Sequence, residues 1–454
     1  MHPKILTVDD SKTIRMLLAR LFGKYQCQVL EAADGSEGFS VALREKPDLI
    51  IIDSNMPVMD GITMLRKLRE QADFKNTEVI MLTGDTGTQI LASVARLGVS
   101  DCVIKPFSED ELLAKVMRVV KLEPRSVEKG QEASSIQALL NDLHARYKGV
   151  NDGELASYIP EVTKANPDHF GICLASVEGT MFQVGDCNVE FTIQSVSKAL
   201  VYAHALTTHG RDRVIQRIGI EPSGDAFNSI NLDKQNRAFN PMVNAGAITA
   251  TSFIKGASLE DRRENLLKIF SKAAGRELKI DERVYKSESM TGHRNRALAW
   301  LLTNFGQVDE ATTLDTLELY YMQCSILVTA RDLAIMGATL ANTGMNPFTG
   351  ESIFDVHCVQ DTLAVMFTCG MYDFSGEWAF RVGIPAKSGV GGGIMGVVNR
   401  QLGIGIYSPR LDERGNSVRG ILACSHLSEG LGLHAFNWLN DGSIYLRGMM
   451  VGDS

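Results

Sequence analysis

The 454-residue chain has no C-x-x-C pair and no histidine cluster at zinc-binding spacing. Its eight cysteines, Cys27, Cys102, Cys173, Cys187, Cys324, Cys358, Cys369 and Cys424, are scattered. That pattern argues against a zinc site and for reduced, mostly buried thiols in a reducing compartment. No apolar run reaches the ~18 residues a membrane helix needs. The N-terminus meets Asp9 and Asp10 too early for a secretory signal. No Lys/Arg-rich run is present, and 46 basic against 54 acidic residues leave a net charge of −8. Nucleic acid and membranes are therefore not expected partners, and a cytoplasmic location is expected. Internal repeats and low-complexity tracts are also missing.

What is there is ordinary for a soluble protein: 44% hydrophobic and 22% charged residues. The length suits two or three domains, each able to bury a core. From residue 4 to about 120, short apolar runs alternate with amphipathic helical patterns. Strands are predicted at Ile5–Val8, Gln28–Ala32, Leu49–Ile52, Val79–Leu82 and Cys102–Ile104, with helices such as Thr13–Phe22, Ile62–Arg69 and Glu109–Val120 between them. This alternation predicts an α/β doubly wound, five-stranded parallel sheet. The charged stretch around Glu123–Glu132 has no apolar period and reads as a linker. The expected division is a first domain over 1–122, a linker over 123–134, a mixed α+β domain over 135–440 and a tail over 441–454.

Asp9 and Asp10 follow the first predicted strand and Asp53 the third; Thr83 ends the fourth and Lys105 the fifth. In a parallel sheet these residues converge on the carboxyl edge, where sites form. Clustered carboxylates call for a cation, and a hard ion such as Mg²⁺ suits oxygen ligands. Asp53 is then placed as a nucleophile toward phosphorus, with Thr83 and Lys105 facing the phosphoryl oxygens. The words Leu6-Thr7-Val8-Asp9-Asp10-Ser11, Ile52-Asp53-Ser54-Asn55-Met56-Pro57, Met81-Leu82-Thr83-Gly84 and Ile104-Lys105-Pro106-Phe107 make this part resemble a response-regulator receiver domain of flavodoxin-like fold. The resemblance implies phosphorylation of Asp53 by a histidine kinase or other phosphodonor. It implies Mg²⁺ held by Asp10, Asp53 and the backbone carbonyl of Asn55, with Asp9 assisting. Cys102 stands where receivers commonly carry an aromatic switch residue.

The second domain carries Ser195-x-x-Lys198 at the start of a helical pattern running from Val196 to Thr207. The spacing puts both on one helix face, where a neutral lysine can take the hydroxyl proton. Spacing alone carries little weight, because Ser126/Lys129 and Ser252/Lys255 share it. Lys387-Ser388-Gly389, followed by Val390-Gly391-Gly392-Gly393, adds the second motif of serine acyl-transferases of the penicillin-binding and β-lactamase class. By itself that run also reads as a tight turn between strands.

Longer passages narrow the choice: Tyr158-Ile159-Pro160, Gln194-Ser195-Val196-Ser197-Lys198, Asn240-Pro241-Met242-Val243-Asn244-Ala245-Gly246, Ser287-Glu288, Arg294-Asn295, Cys324-Ser325-Ile326, Cys369-Gly370-Met371-Tyr372-Asp373-Phe374 and Pro385-Ala386-Lys387-Ser388-Gly389-Val390. With them, residues from about 158 to 436 resemble the serine-dependent glutaminase family. The resemblance implies a serine β-lactamase-like fold, a helical part packed on an antiparallel sheet. It implies hydrolysis of L-glutamine to L-glutamate and ammonia without a cofactor. Ser195 would be the nucleophile, Lys198 its base and Tyr372 a proton relay, with the Ser195 and Val390 N–H groups as oxyanion hole. Glu288 would meet the substrate ammonium, and Asn244, Asn295, Tyr158 and Tyr320 would line the pocket. A homodimer or homotetramer is implied as well.

Two other functions stay open on the residues: a β-lactam- or peptide-processing acyl hydrolase on the same fold, and a signalling module with an inactive output domain. Fusion of the two domains suggests that Asp53 phosphorylation regulates the enzyme. The competing reading makes the first domain a docking or dimerisation surface only.

Overall fold

The computed structural model describes every residue except 1, 24, 85–96, 106, 108, 124–128, 158–159, 225–228 and 438–454. The chain divides into two compact units, Met1–Gln131 and Glu132–Ser454.

In the first unit, β1 (Lys4–Val8), β2 (Gln28–Ala32), β3 (Leu49–Asp53), β4 (Glu78–Thr83) and β5 (Asp101–Ile104) form one sheet in the order β2-β1-β3-β4-β5. All neighbours run parallel. Each expected strand is present within a residue or so of its expected ends. Every residue of β3 is buried, as a strand covered on both faces requires. The period of two then sorts the side chains. Leu6, Val8, Ile50, Ile52 and Met81 pack with Met64, Leu65 and Leu68 on one face. Ile5, Leu49, Ile51, Ile80 and Leu82 pack with Leu18, Phe22, Leu112 and Val116 on the other. The helices Lys12–Gly23, Gly61–Glu70 and Glu109–Val119 supply those partners. Asp60 caps the second of them by accepting from the Thr63 N–H. The strand order reverses beside β1, so β1 and β3 open a crevice at their carboxyl ends.

The segment 123–134, expected as a linker, is partly helical: a helix spans Lys129–Tyr147. Its inner face, Leu140 and Leu143, sits in the core of the second unit, so its start reads as polar while its end is apolar.

The second unit contains β6 (Gly171–Ser176), β7 (Met181–Gly185), β8 (Phe191–Thr192), β9 (Leu327–Val328), β10 (Ala386–Ser388), β11 (Gly393–Val398) and β12 (Leu402–Tyr407). Five of these form an antiparallel sheet in the order β10-β11-β12-β6-β7, while β8 and β9 pair separately. The helix Ala330–Ala341 lies directly on the sheet. A Cβ at Gly405 would stand 1.9 Å from the Ala330 carbonyl oxygen, and one at Gly403 would stand 2.1 Å from the Ala338 nitrogen. Only glycine permits that approach. The opposite face packs on Trp378, Cys424 and Leu427, from the helices Ser375–Arg381 and Val418–Leu431. A helical part built on Ser197–His209, Asn244–Thr251 and Thr313–Cys324 completes the unit. This is the helical part on an antiparallel sheet that the sequence led us to expect.

Candidate active site

The chain leaves β8 at Thr192 and turns through a short 3-10 segment, Gln194–Val196, into the helix Ser197–His209. Ser195 therefore sits in the turn before the helix rather than on its first helical turn. Gln194 makes this turn with φ of 49°, a left-handed conformation that costs a non-glycine residue roughly 1–2 kcal/mol. Tyr372 carries the same kind of strain at φ of 58°. Both strained residues border the nucleophile.

The Tyr372 hydroxyl donates to the Ser388 carbonyl at 3.1 Å and is hydrogen-bonded to the Ser195 side chain. Burial pushes the Tyr372 phenol up, so it stays protonated. Lys198 is 1% exposed. Its Nζ donates to the Met242 carbonyl at 3.2 Å and to Asn244 Oδ1 at 2.7 Å. Desolvation lowers Lys198 to about 8, against the opposing pull of Cys324 and Glu288. A neutral amine has two N–H bonds and one lone pair, and these two acceptors match the two N–H bonds of the neutral form. Asn244 also donates to Asn295 Oδ1 at 2.9 Å, so a chain of amides fixes the lysine head.

Lys387 is likewise buried, donating to the Gly370 and Ser388 carbonyls at 2.9 and 2.6 Å. It lies 4.2 Å from the Tyr372 ring centre. Burial first, and the charge of Lys198 second, hold it well below its usual value.

The turn from Gly389 to Gly392 carries Val390 against the nucleophile segment. A Cβ at Gly391 would meet the Thr192 carbonyl oxygen at 2.6 Å, and one at Gly389 would meet that of Ile193 at 2.9 Å. The glycines let two backbones touch here. The Val390 N–H has no backbone acceptor among the described residues.

Glu288 faces the same space. It is buried, and burial lifts it to about 8, against the opposing pull of Lys198 and hydrogen bonds from Gln194 and Cys324. Among the described residues its Oε2 has no partner, and neither does the buried Ser388 hydroxyl. Buried polar atoms left this way cost about 1–3 kcal/mol each unless a ligand or water meets them. Tyr320 is buried and hydrogen-bonded to Cys324. The expected residues Ser195, Lys198, Asn244, Glu288, Asn295, Tyr320, Tyr372 and Val390 thus belong to one connected set, while Tyr158 lies outside the described residues.

Sequence reasoning missed two members. Cys324 is expected only as one of the reduced, mostly buried thiols and as part of a matching passage, yet it is hydrogen-bonded to both Tyr320 and Glu288. Gln194 was read only as a neighbour of Ser195, yet its side chain bonds Glu288. Their signal was their place inside the long passages rather than their residue type.

The first unit brings its own set together. Ligand atoms of Asp9, Asp10 and Asp53 lie within 4.8 Å of one another. Lys105 Nζ is 2.7 Å from Asp9 and 3.0 Å from Asp53. Burial raises Asp53, opposed by Lys105 and by the Asn55 N–H. Thr83 is buried at the end of β4. Cys102, at the switch position, is half-buried beside the core.

Comparison with known proteins fits both geometries. The glutaminase family model matches residues 153–436, and the response regulator receiver domain model matches residues 5–117. A glutaminase of Trichormus variabilis is 53% identical over 304 residues, covering 67% of this chain and 91% of that one. A glutaminase of Microcystis aeruginosa is 54% identical over 299 residues, 66% and 88% of the two chains. The crystal structure of Mglu in its glutamate form aligns with a TM-score of 0.63 at 42% identity, covering 70% of this chain and 71% of that chain. With a receiver domain at its N-terminal end, the chain belongs to the glutaminase family.

Proposed function

We propose that the protein hydrolyses the side-chain amide of L-glutamine to L-glutamate and ammonia through a Ser195 acyl-enzyme. The observation that carries this reading is the buried Glu288 carboxylate, one oxygen of which has no partner among the described residues, beside a Lys198 amine that burial lowers to about 8. One recognises the ammonium of a free amino acid; the other makes a nucleophile.

Ser195 Oγ attacks the amide carbon and passes its proton to the Lys198 amine. The N–H groups of Ser195 and Val390 stabilise the oxyanion. Tyr372, hydrogen-bonded to Ser195, relays a proton to the departing nitrogen as the C–N bond breaks. Water then cleaves the γ-glutamyl ester, releasing glutamate and restoring the serine. Asn244, Asn295 and Tyr320 complete the amino-acid pocket, together with Tyr158 in the role that the family resemblance implies.

The deciding experiment measures ammonia release from glutamine and asparagine, with acylation by a labelled penicillin in parallel. Turnover of glutamine, lost in Ser195→Ala, is expected. Acylation by penicillin without glutamine turnover would favour the β-lactam-processing alternative.

In the receiver domain, the proposal is that a phosphodonor such as a histidine kinase phosphorylates Asp53 and thereby changes glutaminase activity or assembly. Asp10, Asp53 and the Asn55 carbonyl, with Asp9 nearby, fit a hard cation, and Mg²⁺ there would offset the phosphoryl charge. Lys105 and Thr83 would hold the phosphoryl oxygens. A cytoplasmic homodimer or homotetramer completes the proposal. Among the described residues no helix is long and apolar enough to cross a membrane.

A further inference from the structure

A separate cavity of about 310 Å³ lies by the C-terminal half of the helix Ser197–His209, the helix that carries Lys198 in its first turn. Its charge is one-sided. Lys255, Lys268 and Lys272 line it, and no carboxylate does. Lys272 pairs with Glu351 at 3.0 Å. Lys255 and Lys268 have no ion pair among the described residues. Lys255 and Lys268, both exposed, therefore face this space without a counter-charge in a chain of net charge −8, and like charges repel unless a counter-charge meets them. Lys255 is the lysine of one of the extra S-x-x-K spacings, so its place here has nothing to do with the nucleophile motif.

The rest of the lining sets the chemistry. Ile269 and Ile353 give the cavity an apolar surface, and Thr208, Asn265 and Ser352 add polar groups. Asn265 donates to the Lys255 carbonyl at 3.0 Å, tying down the segment that carries that lysine. His204 also borders the space. Burial, then the neighbouring His209 and Lys255, push its imidazole down to about 4, so it is neutral near pH 7 and the positive charge belongs to the lysines. A bare inorganic oxyanion would meet the ammonium groups and leave the half-buried Ile353 and the apolar lysine stems against water, Ile269 being already buried. An organic anion with several carboxylates satisfies both kinds of surface.

We propose that this cavity binds a small di- or tricarboxylate, its carbon skeleton against Ile353 and the lysine stems and its carboxylates against Lys255, Lys268 and Lys272. The site is independent of the glutamine pocket and of the hydrolytic reading.

Isothermal titration of the full-length protein with citrate tests it, in magnesium-free buffer with ionic strength balanced by KCl, and with inorganic phosphate as comparison. Saturable citrate binding is expected, at least about tenfold tighter than phosphate and weakened about tenfold or more in the Lys255→Gln/Lys268→Gln double variant. Glutamine turnover by that variant without citrate should match the parent, showing an intact fold. No saturable citrate binding overturns the proposal. So does binding that the double variant retains, or phosphate binding as tight as citrate.

Discussion

At Lys198, water exclusion does what no nearby cation needs to do. The amine is enclosed, so its protonated form is disfavoured, and it sits near 8 instead of above 10. Glu288 is moved the other way by the same burial, also to about 8. Both shifts push the enzyme toward alkaline pH. As pH rises through about 8, Lys198 loses its proton and becomes a base, and Glu288 ionises and can meet an ammonium. We therefore expect kcat/KM for glutamine to climb from pH 6 to 8.5; a profile level across that range would exclude a lysine base. Cys324 holds Glu288 by a buried hydrogen bond. Its loss in Cys324→Ala should raise KM about tenfold, which corresponds to roughly 1.4 kcal/mol for a weak thiol donor to a carboxylate, with kcat changed less. Cys324→Ser, which keeps a donor, should recover most of that loss. Equal KM values in all three proteins would show that the thiol only fills space.

Among elements, two backbone contacts hold the site in place. The turn from Gly389 to Gly392 lies on the strand end that leads to Ser195, and Gly391 has no room for a side chain. Gly391→Ala should cut kcat at least about tenfold by displacing the Val390 N–H from the oxyanion, while the thermal midpoint falls only modestly. The second contact is the helix Ala330–Ala341 on β12. Gly405→Ala puts a methyl 1.9 Å from a carbonyl oxygen. It should cost about 3 kcal/mol or more, at the severe end of overpacking, and show as a clear drop in the urea midpoint. A Gly405→Ala protein as stable as the parent would mean that the helix can shift away from the sheet.

For the whole molecule, the proposed regulation predicts that the receiver and the glutaminase site communicate. Glutamine turnover and assembly state should be measured with and without a small phosphodonor, in the parent and in Asp53→Ala. A change that appears only in the phosphodonor-treated parent is expected. Identical behaviour in all four samples would leave the receiver as a docking or dimerisation surface.

The sequence alone determined the five-stranded parallel sheet, because its apolar runs at β1, β3 and β4 are short, bounded and separated by helical periods. It also pointed to the residues proposed to carry the chemistry, since the words around Ser195, Asn244, Glu288, Tyr372 and Lys387 are long and ordered. Local pattern could not decide where a helix begins when its first turns are polar, as at Lys129, or that Ser195 precedes its helix behind a left-handed Gln194. Only the tertiary structure decided the burial that shifts Lys198 and Glu288, the hydrogen bonds of Cys324 and the convergence of Lys255, Lys268 and Lys272. Proton affinity and charge complementarity depend on the solvent and groups that surround an atom, and those neighbours come from distant parts of the chain.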